Sequence, residues 1–417
     1  MSLFNPFVGL LIYVCFAIIS PVSLWGYGLD PDGHYSRIVA IALLIGWVFK
    51  GFGGWNFGRG RAIVFAFVAY WLWSIVSAVN APNDPVAWRF VENTAKILIP
   101  FVVGMTLIDS GEKLKKLAWV LVLSLGFVAY EMNLSYYQGF NRIYELGHGG
   151  MGNNGVAIGM AVGVGVAFFL GVSESRVWLR GVAWVAALLM IHTVLLAFSR
   201  GGMLALVITG FVSFFLLPSK QPKQILALVV VILIALRLAG PQVSDRFMTI
   251  FESGQERDVS AQSRLDLWGH AWDVMKEHPL LGVGPDRWPR VASKYGWVEG
   301  KEVHSTWLQT GAEMGFPGMA LLGAFYALCL GKLWPIVRGK VKVHDPWIQN
   351  VGRMVIAGLV GFIIAAQFVT MEGLEVPYYV TLLGAGALRL TPRPAALPRL
   401  GKVPALSTAA SLFQRRC

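Results

Sequence analysis

The sequence predicts an all-α polytopic membrane protein of about twelve transmembrane helices, with both termini cytoplasmic and one long helical loop on the opposite side. Three observations predict it. Of the 417 residues, 56% are hydrophobic and 14% charged, and the mean hydropathy is +0.60, far from a soluble average. Apolar runs near the roughly 20 residues needed to cross a hydrocarbon core recur along almost the whole chain. Lys and Arg crowd alternate connections between those runs.

Taken in order, the candidate spans are 7–25, 36–53, 62–79, 89–108, 114–132, 155–172, 178–198, 201–217, 224–239, 316–335, 351–370 and 376–390. Glu92 and Lys96 interrupt the fourth, where their i, i+4 spacing lets them neutralise each other; a pair lining a transport pathway is the alternative. The twelfth span is short. No signal peptide is expected, because Met1 to Pro6 lacks a basic region and the first apolar run is long enough to be retained. Of the cysteines, Cys15, Cys329 and Cys417, none falls in the long loop, so no disulfide framework is implied.

With the N-terminus inside, the cytoplasmic connections collect Lys50, Arg59, Arg61, Lys113, Lys115, Lys116, Arg176, Arg180, Lys220 and Lys223. Lys332, Arg338, Lys340, Lys342 and Arg353 follow on the same side. The short outer connections hold only Arg89, Arg142 and Arg200. The formal charge of +12 is therefore mostly a topology signal. Basic loops beside anionic lipid call for no nucleic-acid partner.

This divides the chain into a membrane domain over 1–239 carrying spans one to nine, a periplasmic loop subdomain over 240–316, spans ten to twelve over 317–390, and a basic Pro- and Ala-rich tail over 391–417 expected to be disordered. No repeat of 20 to 50 residues is visible. In the long loop, acidic residues outnumber basic ones, so an arginine holding an anion there must do so by placement.

The loop carries two amphipathic helices. The first is expected over Ala261 to Glu277 with Ser260 as N-cap, and its apolar positions Leu267, Trp268, Ala271, Trp272 and Met275 make one stripe headed by Arg264. His278-Pro279-Leu280-Leu281-Gly282-Val283-Gly284-Pro285 breaks it. The second is expected to start near His304 and run toward Met314, with Trp307, Leu308, Gly311 and Met314 on its apolar face.

These positions supply the candidate chemistry. His304 at a helix N-terminus should stay neutral near pH 7, because the macrodipole disfavours the imidazolium, and so be available as a proton acceptor. The bland alternative is an interfacial histidine bonded to a loop carbonyl. Arg200, in the hairpin Ser199-Arg200-Gly201-Gly202, is costly at that depth unless it snorkels or binds an anion; the two glycines would let a ligand approach the backbone. Arg142 precedes a glycine-rich run from Gly147 to Gly155, which could point N–H groups at a phosphate or simply be a flexible loop. Asn153 and Asn154 at its end, with Ser199, Ser305 and Glu313, are candidate supporting residues. Three guanidiniums from separate loops would suit a diphosphate, orienting it and stabilising its growing charge.

Asp30-Pro31-Asp32-Gly33 has an acid-x-acid form that could hold a divalent metal, but an Asp/Pro/Gly turn is the favoured reading, and no metal site is expected. No zinc spacing, nucleotide-binding glycine loop or serine nucleophile elbow occurs in the sequence. His192 in the seventh span is expected to be a helix-packing polar group.

The chain resembles the O-antigen ligase family, whose superfamily also holds O-antigen polymerases and protein O-oligosaccharyltransferases. The resemblance rests on Ser199-Arg200-Gly201-Gly202, on Ser263-Arg264 with Trp268 and Ala271, on His278 through Gly284, and on His304-Ser305-Thr306-Trp307-Leu308 leading to Glu313-Met314-Gly315. It implies a fold like the C superfamily of glycosyltransferases, without cofactor or metal. It also implies an inverting transfer on the periplasmic side of the bacterial inner membrane, moving a glycan from undecaprenyl diphosphate to lipid A–core. His304 would take the acceptor proton, and Arg200, Arg264 and, more loosely, Arg142 would hold the diphosphate. Ser305 stands where many members have Asn. With Asn5-Pro6-Phe7-Val8-Gly9-Leu10, this is similar to a branch of protein O-glycosylation ligases associated with exosortases, which makes a protein hydroxyl the alternative acceptor. A growing glycan, as in the polymerases, is another. A transporter of lipid-linked sugars is the contrasting class, disfavoured because the polar candidates crowd one surface instead of the bilayer midplane.

Overall fold

Polar caps mark where apolar runs become helices. Asn5 Oδ1 accepts from Val8 N at 3.4 Å with Pro6 at the first helical position, Ser110 Oγ from Lys113 N at 3.4 Å, Ser199 Oγ from Gly202 N at 3.0 Å, and Ser305 Oγ from Leu308 N at 3.3 Å. In this computed structural model the described residues are 2–30, 33–82, 85–217, 255–343, 345–371 and 373–392, with positions 226, 229, 230 and 233 besides. Among them every regular element is helical.

The helices are α1 (Pro6–Ile19), α2 (Pro21–Trp25), α3 (Tyr35–Phe49), α4 (Arg61–Asn80), α5 (Pro85–Leu107), α6 (Gly111–Tyr137), α7 (Arg142–Leu146), α8 (Asn153–Ser173), α9 (Val177–Leu196) and α10 (Arg200–Leu216). After the undescribed stretch come α11 (Gln255–Glu277), α12 (Trp288–Val291), α13 (Thr306–Val337), α14 (Trp347–Ala365) and α15 (Val376–Leu390). Seven are long and apolar enough to cross a membrane: α4, extended by a 3-10 turn from Gly58, and α5, α6, α8, α9, α13 and α14. The chain is a multi-pass membrane protein. α1, α3 and α10 are apolar but only 14, 15 and 17 residues long, and α15 has 15. The first expected span is split, because Ser20 takes φ 44° and Pro21 has no N–H with which to continue the ladder. The ninth expected span, 224–239, lies outside the described residues except at four positions, and so do residues 393–417 of the tail.

The bundle is centred on α8, whose residues Val156 through Gly171 are all buried. Its glycines make that possible. A Cβ on Gly165 would sit 2.7 Å from the Gly358 nitrogen of α14, and one on Gly163 would meet Met190 of α9 and Leu125 of α6 at 2.6 and 2.7 Å. Small residues let backbones approach closely where lipid offers no hydrophobic drive between helices. A second focus is aromatic: Phe67, Phe101, Phe325 and Tyr378 pack ring against ring across α4, α5, α13 and α15.

The long loop has its own small core of Leu267, Ala271, Val274, Met275, Trp288, Ala292, Val303 and Ala312. The expected stripe on α11 is corrected in part: Val274 joins it, while Trp272 is 45% exposed. The helix also begins at Gln255, so Ser260 lies inside it and is not its N-cap.

The loop is fastened to the bundle at a break in α13. Gly315 has φ 70° and ψ −178°, followed by Pro317, and the strand of loop from Pro279 to Gly284 runs through the gap. Val283 N donates to Ala312 O at 3.0 Å, Gly284 N to Glu313 O at 2.9 Å, and Phe316 N to Pro279 O at 2.9 Å. Ser77 Oγ and Trp73 Nε1, at the end of α4, donate to Leu281 O at 2.7 Å and Met314 O at 2.9 Å. A Cβ on Gly315 would lie 2.2 Å from Leu280 O, so both the φ and the contact demand glycine. Gly315→Ala should therefore lower stability by about 2–4 kcal/mol, read as a drop in the thermal unfolding midpoint of purified protein. Gly323→Ala, inside the same helix with open space at its Cβ, should not lower that midpoint.

Candidate active site

Ala366-Gln367-Phe368-Val369-Thr370, after α14, is where the elements bearing three of the candidate residues meet. Thr306 N donates to Ala366 O at 2.8 Å and to Val369 O at 3.2 Å, and its Oγ1 to Val369 O at 2.8 Å, which fixes the chain two residues beyond His304. A Cβ on Gly201, next to Arg200, would stand 3.0 Å from Val369 Cγ2. The ring of Trp268, one turn after Arg264, lies 6.0 Å from that of Phe368. Arg200, Arg264 and His304, far apart in sequence, are thus carried to one place.

Their charges register one another. Burial lowers the pKa of the half-buried His304 imidazole below its usual 6.5, and the cations Lys301 and Arg264 push the same way. Burial also pulls the Arg264 pKa down, with Arg200 adding to it. A guanidinium stays charged at neutral pH regardless. The combination is a neutral imidazole in a positive field.

α13 starts at Thr306 with Ser305 as N-cap, so His304 stands before the helix in a left-handed conformation, φ 56°. Desolvation comes first among the causes that keep the ring neutral, with the cations Lys301 and Arg264 adding to it.

Backbone pins hold His304 from the other side as well. Val303 N donates to Gln309 Oε1 at 3.1 Å, and Thr370 Oγ1 donates to the same oxygen at 2.8 Å. Gln309 Nε2 donates to Glu313 Oε1 at 3.1 Å. The buried Glu313 carboxylate also accepts from Asp286 N at 2.9 Å and Trp288 N at 3.3 Å. Glu313 is thus a clamp on the loop from Asp286 to Trp288, and Gln309 relays its order to His304. Gln309 and Thr370 escaped the sequence reading. Gln309 stands one turn before Glu313 on the same helix face, a spacing that could have flagged it; nothing local marks Thr370.

The supporting residues fall as follows. Ser199 is buried and caps α10. Gly202 closes a contact with α8, where a Cβ would meet Ala157 Cβ at 2.5 Å, so its small size serves helix packing. Asn153 Nδ2 donates to Ala197 O at 2.9 Å, while its Oδ1 accepts from the exposed Asn154 N at 3.0 Å. Arg142 is placed elsewhere: its Nη2 donates to the carbonyls of Ser23 and, at 3.4 Å, Leu24, beside the buried His148. In the glycine run, Gly149 N donates to Ser23 Oγ at 3.0 Å. That loop still touches the Arg200 hairpin, because Asn141 Nδ2 donates to Leu196 O at 2.9 Å and Tyr144 packs edge-on against Phe198.

The other polar candidates are local. Gly33 N donates to Asp30 O at 3.1 Å, a turn bond; Pro31 and Asp32 lie outside the described residues. Lys96 and Glu92 form an ion pair at 2.8 Å. His192 is buried, bonded through Nδ1 to Asn133 Oδ1 and stacked on Tyr137.

Residues 185–323 match the family model described as O-antigen ligase, and residues 1–144 match a family of unknown function. No curated protein matches the chain. Arg200, Arg264, His304 and Glu313 all lie within the first segment, the part of the chain that is similar to the O-antigen ligase family.

NMR titration of histidine-labelled protein should place the His304 midpoint below 6.5. Lys301→Gln should raise it toward 6.5, and a midpoint at or above 6.5 in the parent chain would contradict the site's electrostatics. A depressed histidine pKa means the folded state binds fewer protons than the unfolded one. Its share of stability is therefore present above pH 6.5 and lost as pH falls through that window.

Proposed function

We propose that this chain, similar to the O-antigen ligase family over residues 185–323, is an inverting glycosyltransferase acting at the periplasmic face of the bacterial inner membrane, moving a glycan from undecaprenyl diphosphate to a hydroxyl of lipid A–core. The observation that carries the proposal is that Arg200, Arg264 and His304, all within the matched residues 185–323, converge on the 366–370 segment beyond them.

In the proposed step a neutral imidazole nitrogen of His304 takes the proton of the acceptor hydroxyl as its oxygen forms a bond to the anomeric carbon. The bond from that carbon to the phosphate oxygen breaks, and its electron pair leaves with undecaprenyl diphosphate. Attack from the opposite face inverts the configuration. A base and an electrostatic cradle are what such a displacement needs, and the charge that grows on the departing diphosphate meets the two guanidiniums. On this reading the guanidiniums of Arg200 and Arg264 take the charge-stabilising part that a metal would otherwise supply. Arg142, tied to the Ser23 and Leu24 carbonyls, would order the neighbouring loop, with Asn153 and Asn154 at its end; Ser199, Ser305 and Glu313 would hold the frame.

The Ser305 departure keeps a second acceptor in view, a protein hydroxyl or a growing glycan; the donor half of the site serves either. Reconstituted protein given undecaprenyl-diphosphate glycan and each acceptor in turn identifies the product by mass. His304→Ala should abolish transfer, and unimpaired transfer by it would remove the proposed base. Arg200→Gln and Arg264→Gln should each cut kcat/KM about 30- to several-thousand-fold, the range for removing a partner from a charged contact worth about 2–5 kcal/mol.

A further inference from the structure

A cavity lies away from His304, within the 1–144 segment. It has a volume of about 330 Å³ and sits between the C-terminal end of α1, the start of α3 and the middle of α5. Its wall includes Tyr13, Ser20, Tyr35, Ser36, Arg37 and Lys96. That is two cations and four hydroxyls around a space of small-molecule size. No residue of the Arg200, Arg264 and His304 convergence lines it.

The cavity belongs to the same end of the bundle as His304. Ile18 O, near the end of α1, is 3.0 Å from His148 Nε2, and the 141–153 loop in turn packs on the Arg200 hairpin. It also runs along α5, where the Lys96 side chain is 50% exposed. Lys96 lies eleven residues along α5, roughly 16 Å from Pro85 at helical rise. An ammonium at such depth is costly unless it is partnered. Its partners are Glu92 at 2.8 Å and Asn93 Oδ1 at 3.3 Å, on its own helix, and Tyr13 Oη donates to the Lys96 carbonyl at 2.9 Å. Arg37 is exposed at the mouth.

The wall continues into an apolar face. Beyond Arg37, α3 exposes Ile38, Ile41 and Ile45, at 61%, 52% and 41%, one ridge at helical spacing. A charged, hydroxyl-rich cavity feeding onto a bare apolar ridge is complementary to an amphiphile whose anionic head enters the cavity and whose chains lie along α3.

We propose that this cavity binds the phosphate-bearing head group of a membrane lipid, with Arg37 and Lys96 facing the phosphate, the serine and tyrosine hydroxyls facing its remaining oxygens or attached sugars, and the acyl chains on Ile38, Ile41 and Ile45. This proposal is independent of the base assigned to His304.

The test is native mass spectrometry of the purified full chain. The probes are a phosphorylated glycolipid, phosphatidylglycerol and phosphatidylcholine, with inorganic phosphate as the head-group control. The parent chain and His304→Ala should both retain the anionic lipids and discriminate against phosphatidylcholine. Arg37→Gln/Lys96→Gln should weaken retention at least about tenfold at an unchanged thermal midpoint. Arg37→Gln alone, a change at an exposed side chain, should weaken it about threefold or more, with Arg37→Lys restoring part. Retention of the glycolipid alone assigns the hydroxyls to sugar, equal retention of phosphatidylglycerol assigns the site to phosphate, and capture of inorganic phosphate marks a head-group site that needs no tail. Equal adducts in the parent, the single and the double variants, or binding of phosphatidylcholine as strong as of the anionic lipids, would overturn the proposal. His304→Ala binding normally while failing in transfer separates this site's fate from that of the catalytic reading.

Discussion

A carboxyl group shut away from water must find its hydrogen-bond partners inside the protein, and Glu313 finds three donors: the amides of Asp286 and Trp288 and the side chain of Gln309. Leaving such a group unsatisfied is expensive, because desolvation takes the full loss when a buried polar group has no partner. The loop from Asp286 to Trp288 is therefore held where those amides point inward. Gln309, oriented by Glu313, presents its oxygen to Val303 and Thr370. The geometry of His304 descends from that buried acid by a chain of two side chains, while the kink at Gly315 makes room for the loop to reach it.

At His304 and Arg264 the neighbouring charges carry one sign. Arg264 registers Arg200, and His304 registers Lys301 and Arg264, all acting against bound protons. Cations gathered into a partly desolvated place raise the energy of the empty site, and an anion relieves it. The acidic excess of the long loop in sequence does not cancel this, because the near carboxylates have been turned to other work. Glu313 faces backbone amides, and the Glu302 carboxyl has its pKa raised by burial and by Asp286, so that it holds its proton more readily. Placement has decided the field where composition could not.

The helices were legible because the signal is local: an apolar run ended by a cap or a proline is visible in twenty residues. That Arg200, Arg264 and His304 belong together was legible through motif spacing. What stayed hidden depends on contact between distant segments. Nothing near Thr370 says that its hydroxyl will meet Gln309, and nothing in Ala366 to Thr370 says that three elements will converge on it. Gly202 looked like an opening for a ligand, yet Ala157 of α8 occupies the space. Ser260 looked like a cap because it precedes an apolar stripe, but the backbone is already helical from Gln255. Arg142 looked like a third diphosphate ligand by residue type, while carbonyls of α2, more than a hundred positions earlier, are its acceptors.

On the proposed reading the same field that keeps His304 neutral also couples the base to the donor. Before a diphosphate arrives, Arg264 and Lys301 depress the proton affinity of the imidazole and so guard it against protonation. A diphosphate seated on Arg200 and Arg264 would offset part of that positive potential, and the imidazole's affinity for a proton would rise once the leaving group is in place. A base weak in the empty site and stronger with donor bound takes a proton when the transfer can use it. Burying the ring instead in a cluster of acids would have reversed the order, protonating it first and leaving no base to act. On that reading the arginines would have two roles from one placement, holding the phosphates and setting when the histidine becomes basic.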